Sequence, residues 1–204
     1  MEDLEKFLNW DHIDSVSGGF NNIDQYCLSE IILHYKLEVI VETGIFAGTS
    51  SVVILESLKK LGKGTLYSID TNEVLGKWTG CLVTDDLKDS WHPLFNATSP
   101  HNLDKLSPET LNIDLFLHDS NHIYSVMMAE YDWAMKHINP GGWLLTHDFN
   151  RDRDMKISNF DKIGDVWEDF TIKYKRHLSE EFFVDGGALR GVRVMSDLHE
   201  RVAG

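Results

Sequence analysis

Two short stretches of this 204-residue chain gather side chains that can move protons or hold a cation. One is Leu117-His118-Asp119-Ser120-Asn121-His122-Ile123-Tyr124; the other is Pro140-Gly141-Gly142-Trp143-Leu144-Leu145-Thr146-His147-Asp148. Asp119, His147 and Asp148 make an oxygen-rich set of two carboxylates and an imidazole. Such a set suits a divalent cation, which would orient a substrate hydroxyl and lower its pKa. His122, one turn past Asp119, carries an imidazole that takes a proton near neutral pH. The plainer alternative is helix capping by Asp119 and Ser120, with loop hydrogen bonds from the histidines. The set as a whole favours chemistry.

A third stretch is built to approach a ligand closely. Glu42-Thr43-Gly44-Ile45-Phe46-Ala47-Gly48-Thr49-Ser50 follows a β-branched run, and its two glycines let the backbone turn tightly as the next helix begins. A nucleotide-like ligand is the natural reading. A dinucleotide loop would want Gly-x-Gly-x-x-Gly, but counting from Gly44 the other two glycine positions hold Phe46 and Thr49, so NAD is the weaker cofactor. Asp70, 22 residues after Gly48, closes the next apolar run and is placed to accept from ribose hydroxyls. A capped helix and a solvated Asp form the competing account.

Positioning these residues requires alternating strands and helices. Leu37 to Glu42, Thr65 to Asp70, Ile113 to His118 and Trp143 to Thr146 read as strands, the last preceded by Pro140-Gly141-Gly142 as punctuation. Between them, Ser50 to Leu61 repeats apolar residues at helical spacing, and so does Ile123 to Ile138 with Met127, Tyr131 and Ala134 on one face. A helix with Val166, Phe170 and Tyr174 on one face and strands near Phe182-Phe183-Val184 and Arg190 to Met195 close the pattern; Arg151 to Lys156 reads as an exposed loop. The expected fold is α/β: a Rossmann-like, doubly wound, mostly parallel seven-stranded sheet with helices on both faces. Ligands of such sheets bind beyond the carboxyl ends of the strands, which is where all three stretches fall.

Composition narrows the partners. A formal charge of −14 disfavours a DNA or RNA substrate, whose affinity comes mainly from Lys and Arg. No apolar run approaches the roughly 20 residues needed to cross a bilayer, so no membrane partner is expected. Cys27 and Cys81 are far apart and form no Cys-x-x-Cys, which fits a cytoplasmic protein without disulfides or a zinc ribbon. Most of the ten histidines are scattered singly and read as surface or hydrogen-bonded residues. Trp78, Trp91 and Trp143 read as packing residues before acceptor-pocket residues. The Trp10 to Gln25 stretch either folds over the cofactor or pairs two subunits as a homo-oligomer; the sequence leaves both open.

The loop resembles that of class I S-adenosylmethionine-dependent methyltransferases, and Gly44-Ile45-Phe46-Ala47-Gly48-Thr49-Ser50 looks most like the Gly-x-x-x-Gly-x-Ser loop of the catechol-type O-methyltransferases. The resemblance implies that Glu42, Thr43, Gly44, Phe46, Gly48, Thr49 and Ser50, with Asp70 on the ribose, Ser99 beside the adenine and Asp119, hold S-adenosylmethionine. The later stretches resemble the metal-dependent macrolide-sugar O-methyltransferases and the cephalosporin-pathway methylation protein. Asp119, His122 and Tyr124 match their Asp-x-x-His-x-Tyr, and Pro140, Gly141, Gly142 and Asp148 match the element leading to an acidic pair. That likeness implies a general-base role for His122, a catalytic role for Asp119 and a cation on Asp119, His147 and Asp148. His147 stands where the macrolide enzymes have a glutamate, and imidazole favours Mn, Fe or Zn over Mg.

The expectation is thus one methyltransferase domain over residues 1–204: an N-terminal helical extension at 1–30, a cofactor-binding and catalytic core at 38–148, and a closing helix and strands at 149–204. Its reaction would be S-adenosylmethionine-dependent O-methylation of a small hydroxylated molecule, assisted by a divalent cation (Mg, Mn or another). The rivals are an NAD-dependent oxidoreductase on a similar sheet and a noncatalytic homologue that keeps the cofactor pocket.

Overall fold

The computed structural model describes residues 20–71, 79–106, 112–149, 163–183 and 187–195. Trp78, the Arg151 to Lys156 loop, Val184 and all of the Trp10 to Gln25 stretch before Phe20 lie outside the described residues. In chain order the elements are α1 (Asn22–Tyr35), β1 (Val39–Thr43), α2 (Thr49–Leu61), β2 (Thr65–Ile69), a 3-10 turn (Asp85–Ser90), β3 (Trp91–Leu94), α3 (Leu103–Leu106), β4 (Ile113–His118), α4 (Tyr124–His137), β5 (Ile138–Thr146), α5 (Ile163–Tyr174), β6 (Leu178–Phe183) and β7 (Arg190–Val194).

The seven strands lie in the order β3-β2-β1-β4-β5-β7-β6. The first five pair in parallel, and β7 runs antiparallel to both β5 and β6. Parallel neighbours need helical crossovers, so both faces are covered and strand residues alternate between two apolar layers. Ile40, Leu115, Leu117 and Leu145 pack with Leu28 and Ile32 of α1 and Val53, Ile54 and Leu58 of α2. On the opposite face Val41, Phe116 and Leu144 meet Met127, Tyr131 and Ala134 of α4 and Val166, Trp167 and Phe170 of α5. The Rossmann-like, doubly wound α/β architecture is as the spacing of apolar residues predicts.

Three elements differ from that expectation. α1 runs to Tyr35; Asn21 starts it by accepting from the amides of Ile23 and Asp24 at 2.9 and 3.0 Å. β3, which no apolar alternation announces, is the four-residue edge Trp-His-Pro-Leu beside β2. β5 begins at Ile138 instead of Trp143, because Ile138 already pairs with Ile113; the register then jumps to Leu115 with Trp143, so the Pro-Gly-Gly segment is an irregularity within the strand.

Phe170 is fully buried between α4 and α5. Phe170→Ala should lower the unfolding free energy by about 3–5 kcal/mol, read from the urea midpoint; a loss well below that range would mean that α5 packs more loosely than described.

Candidate active site

The chain leaves β1 outward through β2 and β3, then returns to place β4 on the other side of β1. The loops after β1 and β4 therefore diverge and leave a crevice. Across it the two loops touch through backbone. Gly44, at φ +86°, donates to the Ile69 carbonyl at 2.8 Å, and a Cβ there would sit 2.1 Å from the Asp119 carbonyl oxygen. Only glycine satisfies both demands. Gly48, at φ +96°, then turns the chain into α2. Between them Phe46, at φ +47° and 63% exposed, holds its ring at the mouth of the crevice.

The crevice holds a cavity of about 530 Å³ whose lining includes Gly44, Phe46, Asp70, Thr71, Ala97, Ser99, His101, Asp119, Ser120 and Asn121. Asp70, just past β2, accepts from the amides of Ile45 and Phe46 at 2.9 and 3.1 Å, so one carboxylate ties the β2 end to the glycine turn. Of the residues expected around the cofactor, Gly44, Phe46, Asp70, Ser99 and Asp119 line this cavity; Glu42, Thr43, Gly48, Thr49 and Ser50 do not. Glu42 lies fully buried beneath the turn, where Ser50 donates to it at 3.0 Å, Ser68 at 2.7 Å and Ser51 as well. Burial pushes its carboxyl up to about 7 against the pull of those hydroxyls. Trp91 and Trp143 pack: the Trp91 indole donates to Ser68 at 2.8 Å, and Trp143 is buried against Tyr35 and Phe182.

Beside the cavity, the ends of β4 and β5 assemble the charged cluster. His147 is 4% exposed; its Nδ1 lies 3.3 Å from Asp119 Oδ1 and 3.4 Å from Asp148 Oδ1, and its Nε2 lies 3.4 Å from Asp24 Oδ2. β5 ends at Thr146, so His147 and Asp148 are released from the strand's alternation and both reach the rim, Asp148 at φ +61°, a conformation that Asp tolerates better than most residues. Burial alone would depress the His147 imidazole, but the charge of Asp119, its hydrogen bonds to Asp119 and Asp24, and the charge of Asp148 raise it to about 10. His122 Nε2 lies 3.9 Å from Asp148 Oδ2, and Asp119, His122 and Asp148 each bring a ligand atom within 4.8 Å of the others.

Two residues of this region escape motif reading, Glu130 and Asp24. Glu130, buried on α4, accepts from Thr43 at 2.7 Å and Ser120 at 2.7 Å and pairs with His118 Nδ1 at 2.5 Å. Burial opposes its charge, but the His118 imidazole together with hydrogen bonds from neighbouring serines outweighs burial and holds the carboxyl below its usual range. Asp24 is the second. Both acids sit at helix positions facing the core, Glu130 beside Met127, Tyr131 and Ala134, and Asp24 one turn before Leu28; charge at a core-facing position was the available signal.

A family model described as a methyltransferase domain matches residues 41–149, more than half the chain. The chain belongs to this methyltransferase family. No curated protein matches it in sequence. Among solved structures it is similar to the O-methyltransferase TomG of tomaymycin synthesis from Streptomyces achromogenes, in complex with SAM, at 16% identity and TM-score 0.71 over 96% of this chain and 91% of that one. It is also similar to an O-methyltransferase from Bacillus cereus in complex with SAH, at 13% identity and TM-score 0.63 over 95% and 91% of the two chains. MycE of the mycinamycin pathway, in complex with Mg, SAH and mycinamycin VI, is 13% identical with TM-score 0.65, over 97% of this chain and 56% of that one. Identities this low carry the fold. The family match disposes of the oxidoreductase alternative, and it takes in the glycine turn and both rim-bearing strand ends of the methyltransferase but not Asp24.

Glu42 gives the methyltransferase a pH signature. Its folded value stands above the ordinary 4.5, so the folded state binds the proton more tightly, and stability falls as pH rises from 4.5 towards 7. Glu42→Gln should remove a slope of up to about 1.4 kcal/mol per pH unit over that window. Urea midpoints of both proteins at pH 5 and pH 8 check it; parallel changes would mean that Glu42 stays ionised throughout.

Proposed function

We propose that the protein transfers the methyl group of S-adenosylmethionine to an oxygen of a small hydroxylated acceptor. The observation that carries this reading is the double placement of Asp119: it lines the cavity beyond β1, β2 and β4, and it faces the cluster of His122, His147 and Asp148. Donor pocket and proton-handling groups thus share one wall. The fold likeness to O-methyltransferases crystallised with SAM or SAH supports the same donor.

S-adenosylmethionine, when bound, supplies a methyl group activated by the sulfonium. In this reading the Gly44 turn admits its backbone-sized end, Asp70 accepts from the ribose hydroxyls and Ser99 borders the adenine. His122 takes the acceptor's hydroxyl proton as the oxygen bonds to the methyl carbon and the carbon–sulfur bond breaks. Alignment supplies much of the rate, since the displacement is in line and needs no covalent enzyme intermediate. In this reading residues 38–148 carry the chemistry, while α5, β6 and β7 complete the sheet beside them, as parts of one catalytic unit.

The rim also fits a divalent cation. Donor atoms about 2.1 Å from a shared ion stand roughly 3.0–3.4 Å apart, and the 3.3 and 3.4 Å separations of His147 Nδ1 from Asp119 and Asp148 are of that size. A field that raises an imidazole to about 10 is one that also attracts a dication, with proton and metal in competition. Asp119, His147 and Asp148 would hold it, and it would supply charge to stabilise a developing alkoxide. A second reading puts His122 in the ligand set with Asp119 and Asp148, and is favoured because these three, and not His147, are the ones among the described residues whose ligand atoms all lie within 4.8 Å of one another.

S-adenosylhomocysteine should raise the melting temperature in proportion to the logarithm of its concentration over its dissociation constant, and Asp70→Ala should shrink that rise. No thermal shift in the wild type would overturn the donor assignment. Hydroxylated sugars and phenols offered with labelled donor would supply the acceptor and separate an enzyme from a noncatalytic homologue.

His122→Ala should cut methyl transfer by about a hundredfold to ten-thousandfold while leaving S-adenosylhomocysteine affinity and Mn binding intact, and higher pH should partly rescue it. Loss of Mn binding in calorimetry would assign His122 to the ligand set, and wild-type turnover would remove it from the chemistry.

A further inference from the structure

Asp24 is the one carboxylate of the cluster that comes from outside the strand ends and outside the family match. It sits in the first turn of α1 and is 0% exposed. A buried carboxylate must be hydrogen-bonded, and its two oxygens divide the work. Oδ1 accepts from the amides of Ala188 and Leu189 at 2.8 and 2.9 Å, which fixes the carboxylate plane against the turn before β7. Oδ2 lies 3.4 Å from His147 Nε2, on the far side of the ring from Asp119 and Asp148. The ring face is held as well: Phe20 stacks on it with centroids 4.0 Å apart and planes 10° from parallel.

We infer that Asp24 is a positioning residue for His147, fixing the imidazole so that Nδ1 faces the cation position between Asp119 and Asp148. An imidazole binds a metal through one nitrogen, and a carboxylate accepting from the other sets its tautomer and aims its lone pair. The arrangement found here has those parts: a pinned carboxylate, a clamped ring, and two acidic side chains converging on the opposite nitrogen. The donor set, two carboxylates and imidazole, suits Mn, Fe or Zn better than Mg. The inference rests on the cation reading of the proposed function.

The full chain and its Asp24→Asn variant decide it. Asn keeps an oxygen for the Ala188 and Leu189 amides but cannot accept from His147 through its amino group. Calorimetric titration with Mn should show affinity weakened about tenfold to a hundredfold, and the visible absorption of the Co-loaded protein should change in band position. S-adenosylhomocysteine should still raise the melting temperature as in the wild type, which a general loosening of α1 would not allow. If Asp24→Asn fails to fold, Asp24→Glu, with the charge displaced by one methylene, carries the same expectation. A folded variant with wild-type Mn affinity and an unchanged Co spectrum would overturn the inference and leave the cation reading standing. A wild type that binds neither Mn nor Co saturably would overturn both.

Discussion

The rim of this methyltransferase depends on a buried carboxylate. Glu130 reaches from α4 under the ends of β1 and β4 and accepts from Thr43 and Ser120 while it pairs with His118. Removing one partner of such a network would strand a charge in a dry interior, which costs far more than the network contributes when complete. The three partners lie on either side of the crevice, so satisfying Glu130 fixes the spacing of the two loops. Gly44 and the Asp119 carbonyl then meet at a distance that excludes any side chain, and the Asp119 side chain can serve the cavity and the cluster at once.

The electrostatics of the rim follow from how acid and imidazole are layered. Asp24, Asp119 and Asp148 surround His147, while Glu130 lies deeper with His118. Carboxylates crowded into a protein of formal charge −14 would repel one another. A proton on His147 relieves that repulsion, and the surrounding carboxylates hold that proton up to about pH 10.

Much of this was legible in the sequence, for physical reasons that differ from element to element. β1, β4 and the end of β5 are buried on both faces, and such strands must be written in apolar and β-branched residues, as Val39-Ile40-Val41 and Leu115-Phe116-Leu117 are. Gly44, Asp70 and Asp119 stood out because strand ends are few and their side chains are chemically distinct. β3 was hidden because it is short, an edge, and contains a proline. The burial of Glu42 was hidden too: a strand-end acid beside a glycine turn looks the same whether it faces a ligand or three serines. Asp24 and Glu130 required knowing which helix faces turn inward, and that depends on packing partners far away in the chain.

β3 also has a consequence for how these molecules behave in company. The Leu94 carbonyl accepts from Asp70, so Leu94 points its backbone towards β2, and Pro93, one residue earlier, points its backbone outward. An outermost strand is normally a template for another polypeptide, since its unpaired amides invite a further strand. Here the outward position at the middle of a four-residue strand has no amide hydrogen to offer. Growth along this border would meet a missing rung at once, so the proline that concealed β3 in the sequence also blunts this edge of the sheet.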